Sequence, residues 1–253
     1  MELAAYEEMR RIEDHHWWYL GRRRLVRPLL ERALARATNV LDIGCGTGAN
    51  LALVEEIDAG PRTVGLDFEP TALAFCRSRA LNSALVRGDG MRLPFGDGSV
   101  DCITALDIVE HFDDDHGLLA EFQRVLAPGG EVVITVPQYP SLWSPHDDFL
   151  HHKRRYRAGE LELRLAEAGF QLEERRGFNF LLLPPIWLVR RLKARAKARG
   201  GAVEGTDFFA VPDFVNLALS GLFRVESALV RVLPIRFGVS LMVRATKRRA
   251  PGA

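Results

Sequence analysis

The chain has 253 residues, 47% of them hydrophobic, and a formal net charge of +1. That length suits one α/β domain with an elaboration, and the composition is ordinary for a soluble globular protein. No run of ~18 apolar residues is present and residues 1–14 are charged, so neither a membrane-spanning helix nor a secretory signal is expected.

Strand and helix signals alternate along the chain. Residues 3–36 read as helical. "NVLDIGCGTG" (39–48) is a short apolar strand breaking into a glycine loop, and "ANLALVEEID" continues as helix. A second strand (63–68) ends near an acid, and Pro70, favourable in the first turn, opens a helix through Asn82. "ALVRGDG" (84–90) is a third strand with its exit loop, and "VDCITALDIVEHF" (100–112) a fourth that runs into a polar turn. A helix over 115–127 stops at "APGG", and "EVVITVP" (131–137) is a fifth strand. Residues 138–156 form a loop rich in Pro, His and aromatics. A helix (158–168) ends at Gly169, strands follow at 170–179 and 237–247, and apolar and basic helical sequence lies between those two. The alternation predicts a parallel sheet with helices on both faces.

The near-neutral charge hides a split. Residues 1–150 carry 14 Lys+Arg and 24 Asp+Glu, whereas residues 151–253 carry 20 and 9. The basic half points to an anionic partner, or to two faces that attract each other. Cys45, Cys76 and Cys102 are odd in number and lack paired ligand spacing, so they read as buried thiols of a reduced, cytoplasmic protein, with no metal expected.

The glycine loop carries the first chemical signal. Asp42, Gly44, Gly46 and Gly48 lie between a strand and a helix. Glycine permits a tight turn and close approach to a ligand, and the helix N-terminus offers free N–H groups to a phosphate or carboxylate. The loop alone is ambiguous, because Gly44, Gly46 and Ala49 also satisfy the dinucleotide pattern G-x-G-x-x-G/A. Asp67, about 20 residues further on, can accept both hydroxyls of a ribose in either case.

The rest of the constellation separates the two. With "GDGMRLPFGDGSVDCI" after the third strand, "ALDIVEHF" closing the fourth and "LAPGGEVVITVP" forming the fifth, the chain resembles the class I S-adenosylmethionine-dependent methyltransferases. It is most similar to their small-molecule (type 11-like) branch, closely over 38–137 and loosely over 150–180. The resemblance implies a doubly wound, mostly parallel seven-stranded α/β sheet. Residues 1–37 would be an N-terminal helical lid, 38–179 and 237–249 the methyltransferase core, and 180–236 a helical cap inserted before the last strand.

The resemblance also implies S-adenosyl-L-methionine as cofactor and assigns roles. Asp42, Gly44, Cys45, Gly46 and Gly48 would hold its methionine part. Asp67 would bind the ribose hydroxyls, with Phe68 beside the adenine. Asp89 would accept from the adenine amino group, with Gly90 and Met91 lining the ring. Leu106 and Asp107 would lie near the amino group and the sulfonium. Asp89 also reads as a turn former, and Asp107 as a solvated side chain.

Transfer from a sulfonium needs mainly positioning and desolvation. An oxygen acceptor must also lose a proton. Candidate bases lie at the carboxyl edge of the sheet, where open α/β folds bind ligands. Glu110 and His111 follow the fourth strand, and His146, His151, His152 and Tyr156 follow the fifth. His152 and His111 lead, with Tyr156 as a third catalytic candidate. The stretch "HHKRRY" (151–156) reads equally as a solvated helix entry, or as an arginine clamp through Arg154 or Arg155.

Two further segments bear on the ligands. Residues 180–236 should leave the sheet at its carboxyl edge and cap the acceptor pocket. Their apolar runs adjoin six basic residues at 190–199, which read as a solvated face, as a peripheral contact with anionic membrane, or, least favoured, as a nucleic-acid contact. "HHWWYLGRRRL" (15–25) holds adjacent tryptophans, which cannot share one side of a helix because neighbours lie ~100° apart. The stretch reads either as a structural stripe or as a lid in which at least one of Trp17 and Trp18, with Trp18 the first candidate, covers the cofactor and substrate cleft, and an arginine from Arg22 to Arg24, Arg22 first, reaches the methionine carboxylate or an anionic acceptor. The leading function is methyl transfer to a small, lipid-like or lipid-linked acceptor. A non-catalytic S-adenosylmethionine-binding protein and a nucleic-acid methyltransferase are the alternatives.

Overall fold

The computed structural model describes residues 3–198 and 211–248. Its strands are β1 (Asn39–Ile43), β2 (Arg62–Asp67), β3 (Ala84–Arg87), β4 (Val100–Leu106), β5 (Leu126–Pro137), β6 (Phe170–Phe178) and β7 (Ser240–Lys247). They form one sheet in the order β3-β2-β1-β4-β5-β7-β6, with β7 antiparallel to both of its neighbours and the rest parallel. The helices are α1 (Leu3–Ile12), α2 (Trp17–Leu34), α3 (Ala49–Ile57), α4 (Pro70–Arg77), α5 (Asp115–Val125), α6 (Pro145–Phe149), α7 (Glu160–Glu167), α8 (Leu183–Ala198) and α9 (Asp213–Val232).

Strand alternation builds two cores. Val132 and Ile134 face one side, where Leu118, Phe122 and Val125 of α5 and Leu161 and Leu165 of α7 close over them. Val133 faces the other, under Leu25, Val26, Leu29 and Leu30 of α2 and Phe223 of α9. Each such side chain contributes about 1.5–3 kcal/mol by leaving water. All three cysteines are free and buried.

Several predicted boundaries move. The single N-terminal helix is two, broken at residues 13–16. His16 takes an extended backbone and its side chain accepts from the Trp18 amide, which starts α2 afresh. Histidine is outside the usual N-cap set, so the sequence carries no warning of the break. The helix from Pro70 ends at Arg77 rather than Asn82, and Ala80 sits at φ 53°. The fifth strand begins at Leu126, paired to Val100 across a register shift, instead of at Glu131.

The insertion between β6 and β7 leaves the carboxyl edge, as expected, but it packs beside the ligand face. A Cβ on Gly21 would collide with Phe223, so α9 crosses α2 at the one residue that leaves room. Asn216 ties the two ends, accepting from Trp17 N at 2.8 Å and donating to His15 O at 2.9 Å. On the other flank, Arg190 of α8 donates to Leu142 O. Residues 199–210 of the predicted cap, with the last basic residue of the 190–199 run, lie outside the described residues, as does residue 249 of the predicted core.

Candidate active site

The carboxyl ends of β1, β2 and β4 open onto a cleft of about 390 Å³. The glycine loop forms its floor. Gly44 sits at φ 66° with no room for a Cβ against Ile108, and Gly48, the N-cap of α3, sits at φ 85° against Cys76. Both need glycine, for backbone sign and for space. A Cβ on Gly46 would meet nothing closer than 3.9 Å, because that position faces the opening.

Asp67 closes β2 beside the loop. Its two oxygens accept from Gly46 N and Glu69 N, each at 2.9 Å, and burial pushes its carboxyl above the usual carboxylate range. Phe68 follows it at the rim, 61% exposed. Asp42 lies one layer deeper, fully buried, accepting from Thr104 Oγ1. Burial pushes its carboxyl up to about 7.

Asp107 leaves β4 at φ 57°, a left-handed conformation that Asp tolerates better than most residues. It accepts from Thr135 Oγ1 at 2.9 Å and pairs with Arg22 at 2.5 Å. Arg22 also donates to Asn50 Oδ1 at 2.8 Å, and its buried Nε has no hydrogen-bond partner among the described residues. The guanidinium carbon stands 5.3 Å from the Trp18 ring centre, near enough for a cation–π contact. Trp17 instead packs edge-on against Phe223, ring centres 5.3 Å apart. Both tryptophans pack against the core between α2 and α9, and Trp18 in addition lines the cleft.

The N-terminal segment is latched over the loop. Glu13, 1% exposed, accepts from Thr47 Oγ1 and Arg79 Nη2, while Arg79 Nε donates to Thr47 O at 2.8 Å. Tyr6, Met9 and Glu13 join Trp18 and Arg22 in the lining. Glu13, Thr47, Asn50 and Arg79 do not figure in the sequence reading. No spacing could have paired them, because each contact joins separate elements.

The far end of the cleft holds two histidines. His111 and His152 meet edge to face with ring centres 4.8 Å apart. His152 Nδ1 lies 3.0 Å from Asp147 Oδ1, which also accepts from Arg155 Nε at 2.7 Å. Burial alone would raise the Asp147 carboxyl, but these partners hold it well below the usual range. His152 Nε2 is 3.9 Å from Glu110 Oε1. Glu110 is fully buried, and neither carboxylate oxygen has a hydrogen-bond partner among the described residues. Burial and the nearby Asp107 push its carboxyl far up, and burial followed by the neighbouring His152 charge pushes His111 down to about 3.

The remaining candidates stand apart from the lining. Tyr156 is not a cleft residue, correcting its catalytic assignment. Its ring is fully buried and its hydroxyl donates to Asp115 Oδ2 at 3.0 Å. Burial and the Asp115 charge hold that proton on. Asp89 is exposed and caps its own turn, accepting from Met91 N at 2.9 Å. Gly90 is buried against Phe112 and Leu118, and Met91 packs at the edge of the core. Gly44, Cys45, Gly46, Asp67, Phe68, Leu106, Asp107, His111 and His152 share the cleft with Trp18 and Arg22. No described residue of 180–236 lines it.

Residues 41–134 match the family model described as a methyltransferase domain. A probable S-adenosylmethionine-dependent methyltransferase of Mycolicibacterium smegmatis is 30% identical over 168 residues, 66% of this chain and 64% of that protein. Residues 41–134 are thus similar to a methyltransferase domain, and the chain resembles S-adenosylmethionine-dependent methyltransferases. A demethylmenaquinone methyltransferase of Thermus thermophilus is 38% identical over 117 residues, 45% of this chain and 52% of that protein. The chain therefore spans about half to two thirds of the length of these relatives. In fold it is similar to a SAM-dependent methyltransferase from Archaeoglobus fulgidus, with TM-score 0.57, 20% identity, and 89% and 94% of the two chains covered.

The methyltransferase cofactor is S-adenosylmethionine, and the cleft residues fit it. The opening at Gly46, where no side chain intrudes, lets a ligand approach the loop closely, the Gly46 N–H itself being held by Asp67. The unpartnered Arg22 Nε is a donor for a carboxylate, and Asp107 and Asp67 are acceptors for an ammonium and for hydroxyls.

Proposed function

We propose that this methyltransferase moves a methyl group to a small, lipid-like acceptor, and that it does so at an anionic membrane surface. The observation that carries the reading is that one cleft joins the glycine loop and Asp67 at one end to the His111–His152 pair at the other. Bound S-adenosylmethionine supplies a methyl group activated on a sulfonium. Asp67 would hold the ribose hydroxyls, Phe68 the adenine side, and Arg22, Asn50 and Asp107 the amino-acid end. Trp18 and the latched segment over residues 3–16 would exclude water. The histidine end would receive the acceptor.

The lipid-like acceptor is supported by the demethylmenaquinone methyltransferases among the relatives and by the insertion. On α8, Trp187, Leu188, Val189 and Leu192 are exposed, and Arg191 stands 4.6 Å over the Trp187 ring. On α9, Phe214 and Leu217 are 75% and 69% exposed. No described helix is long and apolar enough to cross a membrane. Large apolar side chains beside arginines suit a helix lying in the headgroup region instead. Residues 1–37 then act as lid and 180–236 as the element that meets the membrane.

A labelled-methyl screen tests this, run separately on lipid extract and soluble metabolites. Label should enter the lipid extract, and label in the soluble pool alone overturns the lipid-like acceptor. The protein should pellet with anionic vesicles more than with neutral ones. Equal pelleting overturns the membrane contact.

A further inference from the structure

Among the described residues, no hydrogen bond accounts for the burial of the Glu110 carboxylate. A carboxylate taken fully out of water costs several kcal/mol unless it is protonated, paired or bound to a metal. Glu110 is fully buried with neither carboxylate oxygen hydrogen-bonded among the described residues, and His152 Nε2 stands 3.9 Å from Oε1. It is aimed at the histidine pair. Glu110, His111 and His152 each bring one donor atom into a group whose members all lie within 4.8 Å of one another. We propose that Glu110, His111 and His152 bind a divalent transition-metal ion at the acceptor end of the cleft.

Three features of the surroundings suit a metal. His152 is oriented from behind, since its Nδ1 faces Asp147 at 3.0 Å, which turns Nε2 toward Glu110. A carboxylate behind a ligating imidazole is the usual arrangement at metal sites, fixing both the tautomer and the ring plane. Asp147 is itself held by Arg155 and by the Ser144 amide at 2.8 Å, so the orientation is built into the fold. Finally, His111 and His152 line the cleft whereas Glu110 lies beneath it, which leaves coordination positions open to an acceptor oxygen.

The donor set selects the ion class. Two imidazoles and one carboxylate suit Mn²⁺, Fe²⁺, Co²⁺ or Zn²⁺, whereas Mg²⁺ and Ca²⁺ take all-oxygen sets. Metal–ligand bonds near 2.1 Å put donor atoms about 3.0–3.4 Å apart, so the widest-spaced donors of the group, up to 4.8 Å apart, close by up to about 1.4–1.8 Å on binding. The sequence hides this site. Glu110 and His111 are adjacent, but His152 comes from the loop after the fifth strand, so no ligand spacing is present to read.

The test uses tag-free, full-length protein stripped with a chelator and titrated with Zn²⁺, Mn²⁺ or Co²⁺ alone. Calorimetry should show one site per chain, and Co²⁺ should give visible d–d absorption. Glu110→Gln, of nearly the same shape, should weaken binding at least 30-fold, and Asp147→Asn 10- to 100-fold. Binding of S-adenosylhomocysteine by Glu110→Gln confirms that the variant is folded. Absence of a one-to-one site for all three ions, or affinity unchanged in both Glu110→Gln and His111→Ala, overturns the proposal. Because the readout is metal binding, it stands or falls apart from the identity of the methyl acceptor.

Discussion

Glu13→Ala isolates the N-terminal latch. The substitution removes the carboxylate that accepts from Thr47 and Arg79 and leaves the Arg79 side chain 9% exposed. Breaking a buried ion pair from one side costs about 3–5 kcal/mol. Two contacts soften the loss: Arg79 keeps Thr47 O at 2.8 Å and the half-exposed Asp14 at 3.2 Å. The expected cost is about 2–3 kcal/mol, or a 30- to 150-fold shift in local opening. It should fall on residues 6–16 alone, because α2 is anchored separately by Leu25, Val26, Leu29 and Leu30 in the core. Hydrogen exchange reads this directly. Amides of 6–16 should exchange at least 30-fold faster while those of 25–34 stay protected. Adding S-adenosylhomocysteine should restore part of the protection. Unchanged exchange over 6–16, or a parallel rise over 25–34, refutes the latch.

Three further outcomes follow from the same geometry. Trp18→Ala should weaken S-adenosylhomocysteine about 10-fold and lower apo Tm less than Trp17→Ala, which loses Phe223 and should leave binding intact; calorimetry and thermal melts separate them. Asp42 has a folded pKa near 7, above its ordinary 3.8, so it favours the fold at low pH and that contribution is lost as pH rises through 7. Asp42→Asn should therefore remove about 2 kcal/mol of the stability loss between pH 5.5 and 8, measured by denaturant titration of both proteins. Tyr156→Phe should cost about 1 kcal/mol and leave the pH profile of methyl transfer unmoved, since the hydroxyl serves only Asp115.

What the sequence made legible is what short-range physics controls. The seven strands, the glycine loop and Asp67 at the end of β2 follow from alternation, turn chemistry and one recurring order of motifs. Helix geometry required only that Trp17 and Trp18 face different surfaces, and the contact of Trp17 with Phe223 across α9 decides which of them faces the cleft. The misses are contacts between distant elements. The turn at 13–16 depends on Glu13 finding Thr47 and Arg79, and on His16 acting as an N-cap. Tyr156 looked catalytic because it follows the fifth strand at the carboxyl edge of the sheet, yet the parallel bridge between Gln138 and Tyr156 turns it into the core. The Asp147–His152–Glu110 chain joins two loops, and no local pattern announces it.

The central claim is that the cleft between the glycine loop and the N-terminal segment holds S-adenosylmethionine through Asp67. Calorimetry with S-adenosylhomocysteine and with NAD, on the wild type and on Asp67→Asn, tests it most directly. The account predicts one-to-one binding of S-adenosylhomocysteine, no binding of NAD, and at least about a 30-fold loss in Asp67→Asn as charged hydrogen bonds are removed. Binding of NAD, or full retention of S-adenosylhomocysteine by Asp67→Asn, would contradict it.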